Sequence, residues 1–233
     1  MVRLLLDKGK KTRSSRRMEG ASMAAETLLA SLDGITLLPP GHVATIKSYL
    51  ERAIEPDEPA APPLPQGLAL HRLRGKEAPR YRALFQTIGS RWLWWSRLLL
   101  PADTLAVLLD DPAVEAFAVV EADRDIGLLE WDFSQAGRPE LAFLGFVEGA
   151  TGRGFGSLLM RITLARMAEA GASALRVNTC TFDHPAALAF YRRNGFTVVA
   201  QALEIVLDPR LHGLLPQDAA PHIPILPISA SGS

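Results

Sequence analysis

The chain has 233 residues, enough for one domain with a sizeable core plus extensions. Its 25 Lys and Arg balance 25 Asp and Glu, but residues 1–17 hold seven basic residues (Arg3, Lys8, Lys10, Lys11, Arg13, Arg16, Arg17) against Asp7 alone, so the remainder carries 18 basic against 24 acidic. A body of that sign argues against a polyanionic nucleic-acid partner, no apolar run reaches membrane-spanning length, and the single cysteine, Cys180, excludes an intramolecular disulfide. The expectation is a cytoplasmic protein with no nucleic-acid and no membrane partner, since a lone cysteine fits a reducing compartment.

Residues 1–23 read as a basic tail without a folding pattern, or as sequence ahead of a start at Met18 or Met23; a basic, acid-poor start also suits an organelle-targeting segment. Val2–Leu6 is too short for a secretory core. Residues 24–38 form a short, poorly patterned helical stretch, ended by Pro39-Pro40-Gly41. His42 to Ala53 reads as an amphipathic helix, with Val43, Ile46, Tyr49/Leu50 and Ala53 at helical spacing. Five prolines between Pro56 and Pro65 mark a linker, so 24–66 is a helical extension and the main domain begins at 67.

Leu68–Leu73 is a first strand. Helix follows from Pro79 to about Leu100, interrupted at Gly89-Ser90, with Tyr81, Leu84/Phe85, Ile88, Trp92, Trp95 and Leu98/Leu99 on its apolar face. On that face Trp92 and Trp95 are core residues. Trp94 points away from that face and needs another explanation. Pro101 opens a short helix that Asp111-Pro112 ends. Val114–Glu121, Ile126–Phe133 and Leu141–Val147 are strands. A glycine loop leads into a helix from about Gly156 to Ala170, closed by Gly171. Ala174–Thr179 is a strand, Pro185–Asn194 a helix followed by Gly195, and Thr197–Leu207 the last strand. Residues 208–233 read as an extended Pro-rich tail, apolar enough at Leu214-Leu215 and Ile223–Ile228 to dock on the body or on a second copy, which makes a homodimer one candidate assembly.

The chemistry is carried by Leu144-Gly145-Phe146-Val147-Glu148-Gly149-Ala150-Thr151-Gly152-Arg153-Gly154-Phe155-Gly156-Ser157, between a strand and a helix. Glycines let the backbone approach a ligand, and the helix start offers free N–H groups and a positive dipole end, which together cradle a pyrophosphate. No Lys-Ser/Thr pair follows the last glycine, as a P-loop requires, and the third glycine of a dinucleotide fingerprint would fall at Leu159. About thirty residues on stands Asp183-His184-Pro185-Ala186-Ala187-Leu188-Ala189-Phe190-Tyr191-Arg192-Arg193-Asn194-Gly195-Phe196.

With Gly154-x-Gly156 and the helix end Tyr191…Gly195-Phe196, residues 67–207 resemble the GNAT acetyltransferase superfamily in element order. The resemblance implies a mixed α/β fold: a mostly antiparallel twisted sheet flanked by helices and splayed at an acetyl-CoA site. It implies acetyl-CoA as co-substrate, a primary amine of a small molecule or a peptide as acceptor, and no metal. Leu144 and Phe146 would pair with the pantetheine arm, with Gly145 suited to a bulge, and Thr151, Gly152, Arg153, Gly154, Gly156 and Ser157 would form the CoA loop. Thr151 departs from the family's Gln/Arg and His184 from its frequent Asn. In the family the helices after the first strand flank the acceptor groove, so the resemblance makes Trp94, Arg91 and Arg97 candidates for its wall, with plain packing the alternative. Tyr191 matches the tyrosine that protonates the CoA thiolate, a role suited to a phenol that titrates near 10. Glu140 falls where family members carry the base, with Glu130 the alternative and water a third. His184 is a capping or surface group before it is a base, Asp183 an N-cap, and Cys180 a small buried residue rather than a nucleophile. The other reading of the whole is a CoA-binding module without turnover.

Overall fold

The structure, a computed structural model, describes residues 34–228. The chain divides into two units, Met1–Pro40 and Gly41–Ser233. In the first, residues 34–40 carry no helix or strand, and the rest of the helical stretch predicted for 24–38 lies outside the described residues, as does the basic segment.

The described residues of the second unit form one seven-stranded sheet with four α-helices. Its strands are β1 (His42–Ala53), β2 (Leu68–Leu73), β3 (Val114–Glu121), β4 (Arg124–Asp132), β5 (Glu140–Phe146), β6 (Ala174–Cys180) and β7 (Thr197–Leu207). The helices are α1 (Ala78–Gly89), α2 (Ala102–Asp110), α3 (Phe155–Glu169) and α4 (Ala187–Arg193). The strand order is β2-β3-β4-β5-β6-β1-β7, and only the β5/β6 pair is parallel.

The segment His42–Ala53, expected to be helical, is β1, an inner strand antiparallel to both β6 and β7. The crossover β6-α4-β7 leaves a slot between its strands, and β1 fills it. The helical spacing of Val43, Ile46 and Leu50 is fortuitous. Along the strand Val43, Thr45, Lys47 and Tyr49 share one face, and Ser48 and Leu50 the other, so buried Thr45 and Ser48 hide the alternation in hydrophobicity. Their hydroxyls are satisfied: Thr45 Oγ1 meets Thr181 Oγ1 at 2.8 Å, and Gln201 donates to Ser48 at 3.1 Å. The unit thus begins at Gly41, ahead of the proline-rich stretch, which lies within it.

Two helical layers sandwich the sheet. On one face α1 and α2 cover Leu73, Ala116, Ala118 and Leu128 with Tyr81, Phe85, Ile88 and Leu109. On the other, α3 and α4 cover Leu129, Trp131, Leu141 and Val177 with Leu159, Met160, Leu164 and Tyr191. The successive residues Leu128 and Leu129 lie in different cores, as strand geometry demands. The tail after β7 is folded rather than extended. Arg210 pairs with Asp208 at 2.7 Å and donates to the carbonyls of Ala219, Ala220 and Ile223, which turns the chain back. Leu215, Ala219 and Ala220 then pack with Val43, Leu93 and Phe182 in a third cluster.

The α1–α2 connection also departs from expectation. Helix α1 stops at Gly89, a short 3₁₀ turn spans Ser90–Trp92, and Leu93 adopts φ 49° with Trp94 N donating to Gly89 O at 3.0 Å. This is a Schellman-type closure with leucine at the left-handed position that glycine usually takes. It turns Trp94, not Trp92, inward: Trp94 packs on Phe85 and Phe143, whereas Trp92 lies against the rings of His184 and His222.

Candidate functional site

Strand β5 stands fourth of seven in the sheet, yet Ala142 to Phe146 are all partly exposed. The cause is its pairing. Against β6 only Glu140 and Leu141 have partners, Arg176 and Val177, after which β6 continues against β1 alone. Against β4 the register slips so that Glu130 faces Phe143 and Trp131 faces Leu141, leaving Ala142 unpaired. The bulge is therefore at Ala142, not at Gly145, and such an insertion bends the strand and increases its twist. The two parallel strands part beyond Leu141 and Val177 into a V, and β5 keeps one edge free from Phe143 to Phe146.

Gly145 serves a different purpose. A Cβ there would lie 2.6 Å from Ile88 Cγ2 and 2.9 Å from Trp94 Cη2. Gly145→Ala is expected to lower stability by ~1–3 kcal/mol through overpacking, measurable by urea denaturation.

The glycine loop closes the wide end of the V. Gly149, Gly152 and Gly154 have φ of 84°, 82° and 84°, and the space where their Cβ atoms would stand is open. Gly154 is the N-cap of α3, and the amides of Gly154, Phe155, Gly156 and Ser157 donate to no group among the described residues. These are the orphan donors of a helix start, pointing outward at its positive end. Thr151, Gly152 and Arg153 are exposed. The Arg153 guanidinium forms a two-pronged pair with Glu121 at 2.6 and 2.7 Å and lies over the Phe155 ring. Leu144 and Phe146 hold the free edge, and Phe146 packs near Phe155.

The two carboxylates differ. Glu130 is fully buried on the α1 face, where Tyr81 Oη and Arg97 Nη2 both donate to it. Burial works against the Arg97 charge, but the Glu130 carboxylate overcomes this and holds the guanidinium ionised. Glu140 sits at the apex of the V, receives Asn178 Nδ2 at 2.7 Å and has Arg176 at 4.0 Å. Burial raises its carboxyl above the ordinary range, against the Asn178 hydrogen bond and the Arg176 charge, which favour ionisation.

On the α3 face of the sheet, Tyr191 of α4 is 8% exposed with its ring against Phe190 and Phe196. Its hydroxyl has no hydrogen-bond partner among the described residues. Burial first, and Asp183 second, push the phenol further above its usual value.

Asp183 is not the N-cap of α4, which is Ala186. It accepts from Thr179 Oγ1 at 2.8 Å, the Cys180 amide at 2.8 Å and Trp94 Nε1 at 3.0 Å. Spacing along the sequence held no sign of that tie across 89 residues. His184 is exposed and accepts the Ala186 amide at 3.1 Å. Burial pushes the Cys180 thiol up, which keeps it protonated. Arg91 pairs with Glu148 at the surface. No described helix is long and apolar enough to cross a membrane.

No curated protein matches the chain. Among solved structures, a Drosophila protein superposes with TM-score 0.54 at 19% identity over 82% of this chain, and a GCN5-related N-acetyltransferase from Sphaerobacter thermophilus with 0.55 at 18% over 80%. A GCN5-related N-acetyltransferase from Kribbella flavida gives 0.50 at 18% over 81%. At such identities the likeness is one of fold, and this chain spans only 58%, 57% and 65% of their lengths. The family model of the GNAT acetyltransferases matches residues 70–196, which takes in the β5–α3 loop, the parted strands and Tyr191 together. With that match over more than half of its length, the chain belongs to the GNAT acetyltransferase family.

Proposed function

We propose that this protein transfers the acetyl group of acetyl-CoA directly to a primary amine of a small molecule or a peptide. The observation that carries the reading is the free edge of β5 leading, through the glycine loop, to four amides at the start of α3, Gly154 to Ser157, that donate to no described residue. A pyrophosphate fits those amides: open space stands over Gly149, Gly152 and Gly154, and the helix dipole favours an anion. The free N–H and C=O groups around Leu144 and Phe146 match the amides of a pantetheine arm laid in the V as a partial strand. They also hold the thioester beside the apex, where orientation lowers the barrier.

At the apex Glu140 takes a proton from the attacking amine, directly or through one water. Its raised pKa supports this role, because a base titrating nearer neutrality is the better proton acceptor. The burial of Glu130 and its ties to Arg97 and Tyr81 favour Glu140 over Glu130. As the new N–C bond forms and the C–S bond breaks, Tyr191 gives its proton to the departing thiolate; the nitrogen sheds its second proton, which restores the phenol through solvent, and Glu140 returns its proton to water. The products are an amide and free CoA. A panel of amines, polyamines, amino acids and peptides, followed by release of free CoA, tests the reading. Acetyl-CoA binding without release on any acceptor would instead make the chain a CoA-binding module.

Glu140→Gln keeps an acceptor for Asn178 and removes the base. The rate at neutral pH is expected to fall on the order of a hundredfold or more, with acetyl-CoA affinity nearly unchanged and the deficit shrinking at alkaline pH, where free amine is abundant. Stability moves the other way. A carboxyl whose folded pKa is raised binds its proton more tightly when folded, so its contribution is present in acid and lost as pH rises through the folded pKa. The melting temperature of the variant relative to the parent should therefore rise from acid to neutral pH. An unchanged rate at neutral pH, with chemistry limiting, would move the role to water.

A further inference from the structure

We infer that Trp94 is the residue that limits the size of the acyl group the donor site accepts, an inference that rests on the β5/β6 cleft being the thioester site. The indole lies against the α1 face of the opening between β5 and β6. One end donates to Asp183, just past the end of β6, at 3.0 Å. The other meets Gly145 on β5, where Cη2 would stand 2.9 Å from a Cβ. Between them the ring packs on Phe143, at 5.3 Å between centroids, and on Phe85, at 5.5 Å. Phe143 is the residue next to the bulge, at the start of the free edge. An acyl group held at the start of the free edge, beside Phe143, therefore meets an aromatic wall of Phe143 and Trp94 on the α1 side.

Several independent features fix this wall. Leu93 is held at φ 49°, a conformation that L residues adopt at a cost, and it is fully buried. Gly89 leaves room for the Trp94 Cβ, since a Cβ of its own would lie 2.5 Å from it. Gly145 leaves room for the far edge of the ring. Asp183, with the Thr179 hydroxyl and the Cys180 amide on its other oxygen, pins the indole nitrogen. Plain packing does not need a hydrogen bond across the opening, and a half-buried tryptophan tied at both sides of a cleft is placed to bound what enters it. Its position predicts room for a two-carbon acyl group and a clash for a chain several methylenes longer.

The test measures the affinities of acetyl-CoA, butyryl-CoA and hexanoyl-CoA by calorimetry for the parent, Trp94→Phe and Trp94→Ala, with circular dichroism on each preparation. The parent should bind acetyl-CoA at least tenfold more tightly than hexanoyl-CoA. Trp94→Ala should reduce that preference tenfold or reverse it, and Trp94→Phe, which keeps a shorter ring but not the bond to Asp183, should fall between. Should Trp94→Ala fail to fold, Trp94→Phe alone decides. A parent that binds acetyl-CoA with the same preference as both variants overturns the inference and leaves the donor site standing. A parent that binds none of the three overturns the donor-site reading itself, and the inference with it.

Discussion

Gly156→Glu is expected to abolish acetyl-CoA binding while leaving the protein at least as stable as the parent. Gly156 is the second residue of α3, with a backbone that any residue adopts. A Cβ there would make ordinary contact with the Phe190 ring at 3.6 and 3.7 Å. Replacing glycine in a helix removes a penalty of ~1 kcal/mol, and an acid in the first turn is favoured by the helix dipole. Nothing in the fold therefore opposes the change. In the proposed site the effect is opposite, because the new carboxylate stands among the partnerless amides and offers them its own oxygens. A hydrogen bond to a charged group contributes about 1.5–3 kcal/mol, so losing two costs about 3–6 kcal/mol, and each ~1.4 kcal/mol is tenfold in affinity. The dissociation constant should rise at least a hundredfold, before like-charge repulsion is added. Calorimetry and a melting curve on one preparation separate the two effects. Unchanged affinity in a folded variant would remove the cradle from the argument, and Gly156→Ala, which adds only the Cβ, serves as the control for shape.

The elements that were legible in the sequence are those whose signals are local. Strands β3 and β7, helix α3 with Gly171 behind it, and α4 ending before Gly195 all follow from periodicity and turn residues within one segment. The candidate cradle was legible for the same reason, since a glycine loop and a helix start are contiguous. What stayed hidden depends on partners far along the chain. Strand β1 carries Thr45 and Ser48 inward, and only Thr181 and Gln201, more than a hundred residues away, make those positions tolerable. The end of α1 lacks the glycine that usually marks a left-handed cap. Leu93 holds that conformation because it is buried against the folded tail and Phe182, so the facing of three tryptophans could not be read from a helical wheel. That Arg97 and Tyr81 close over Glu130 is a tertiary fact, and the proposed preference for Glu140 rests on it. The bulge at Ala142 is a matter of register between two strands and has no mark in β5 alone.

Tyr191→Phe is expected to lower turnover on the order of a hundredfold or more, the usual loss for a positioned general acid, with little change in melting temperature or acetyl-CoA affinity. The ring supplies the packing, against Phe190 and Phe196, and phenylalanine keeps it. The hydroxyl bonds to no described residue, so its removal strands no buried partner, the usual source of a large penalty. Affinity should hold because a thioester sulfur is a poor acceptor while the thiolate it becomes is a strong one. The interaction therefore grows toward the transition state and appears in turnover rather than in binding. The raised phenol pKa adds a condition on the pH profile. With burial and Asp183 both favouring the neutral form, Tyr191 keeps its proton through neutral and mildly alkaline assays. The alkaline limb of the parent profile should thus carry no break from this group, and the ratio of parent to variant rates should stay constant across that range. A tyrosine with a purely structural role predicts the reverse, a lowered melting temperature with turnover per folded molecule unchanged. Full activity in the folded variant, under conditions where product release does not limit, would mean that water protonates the thiolate and that the Tyr191 hydroxyl has no part in the chemistry.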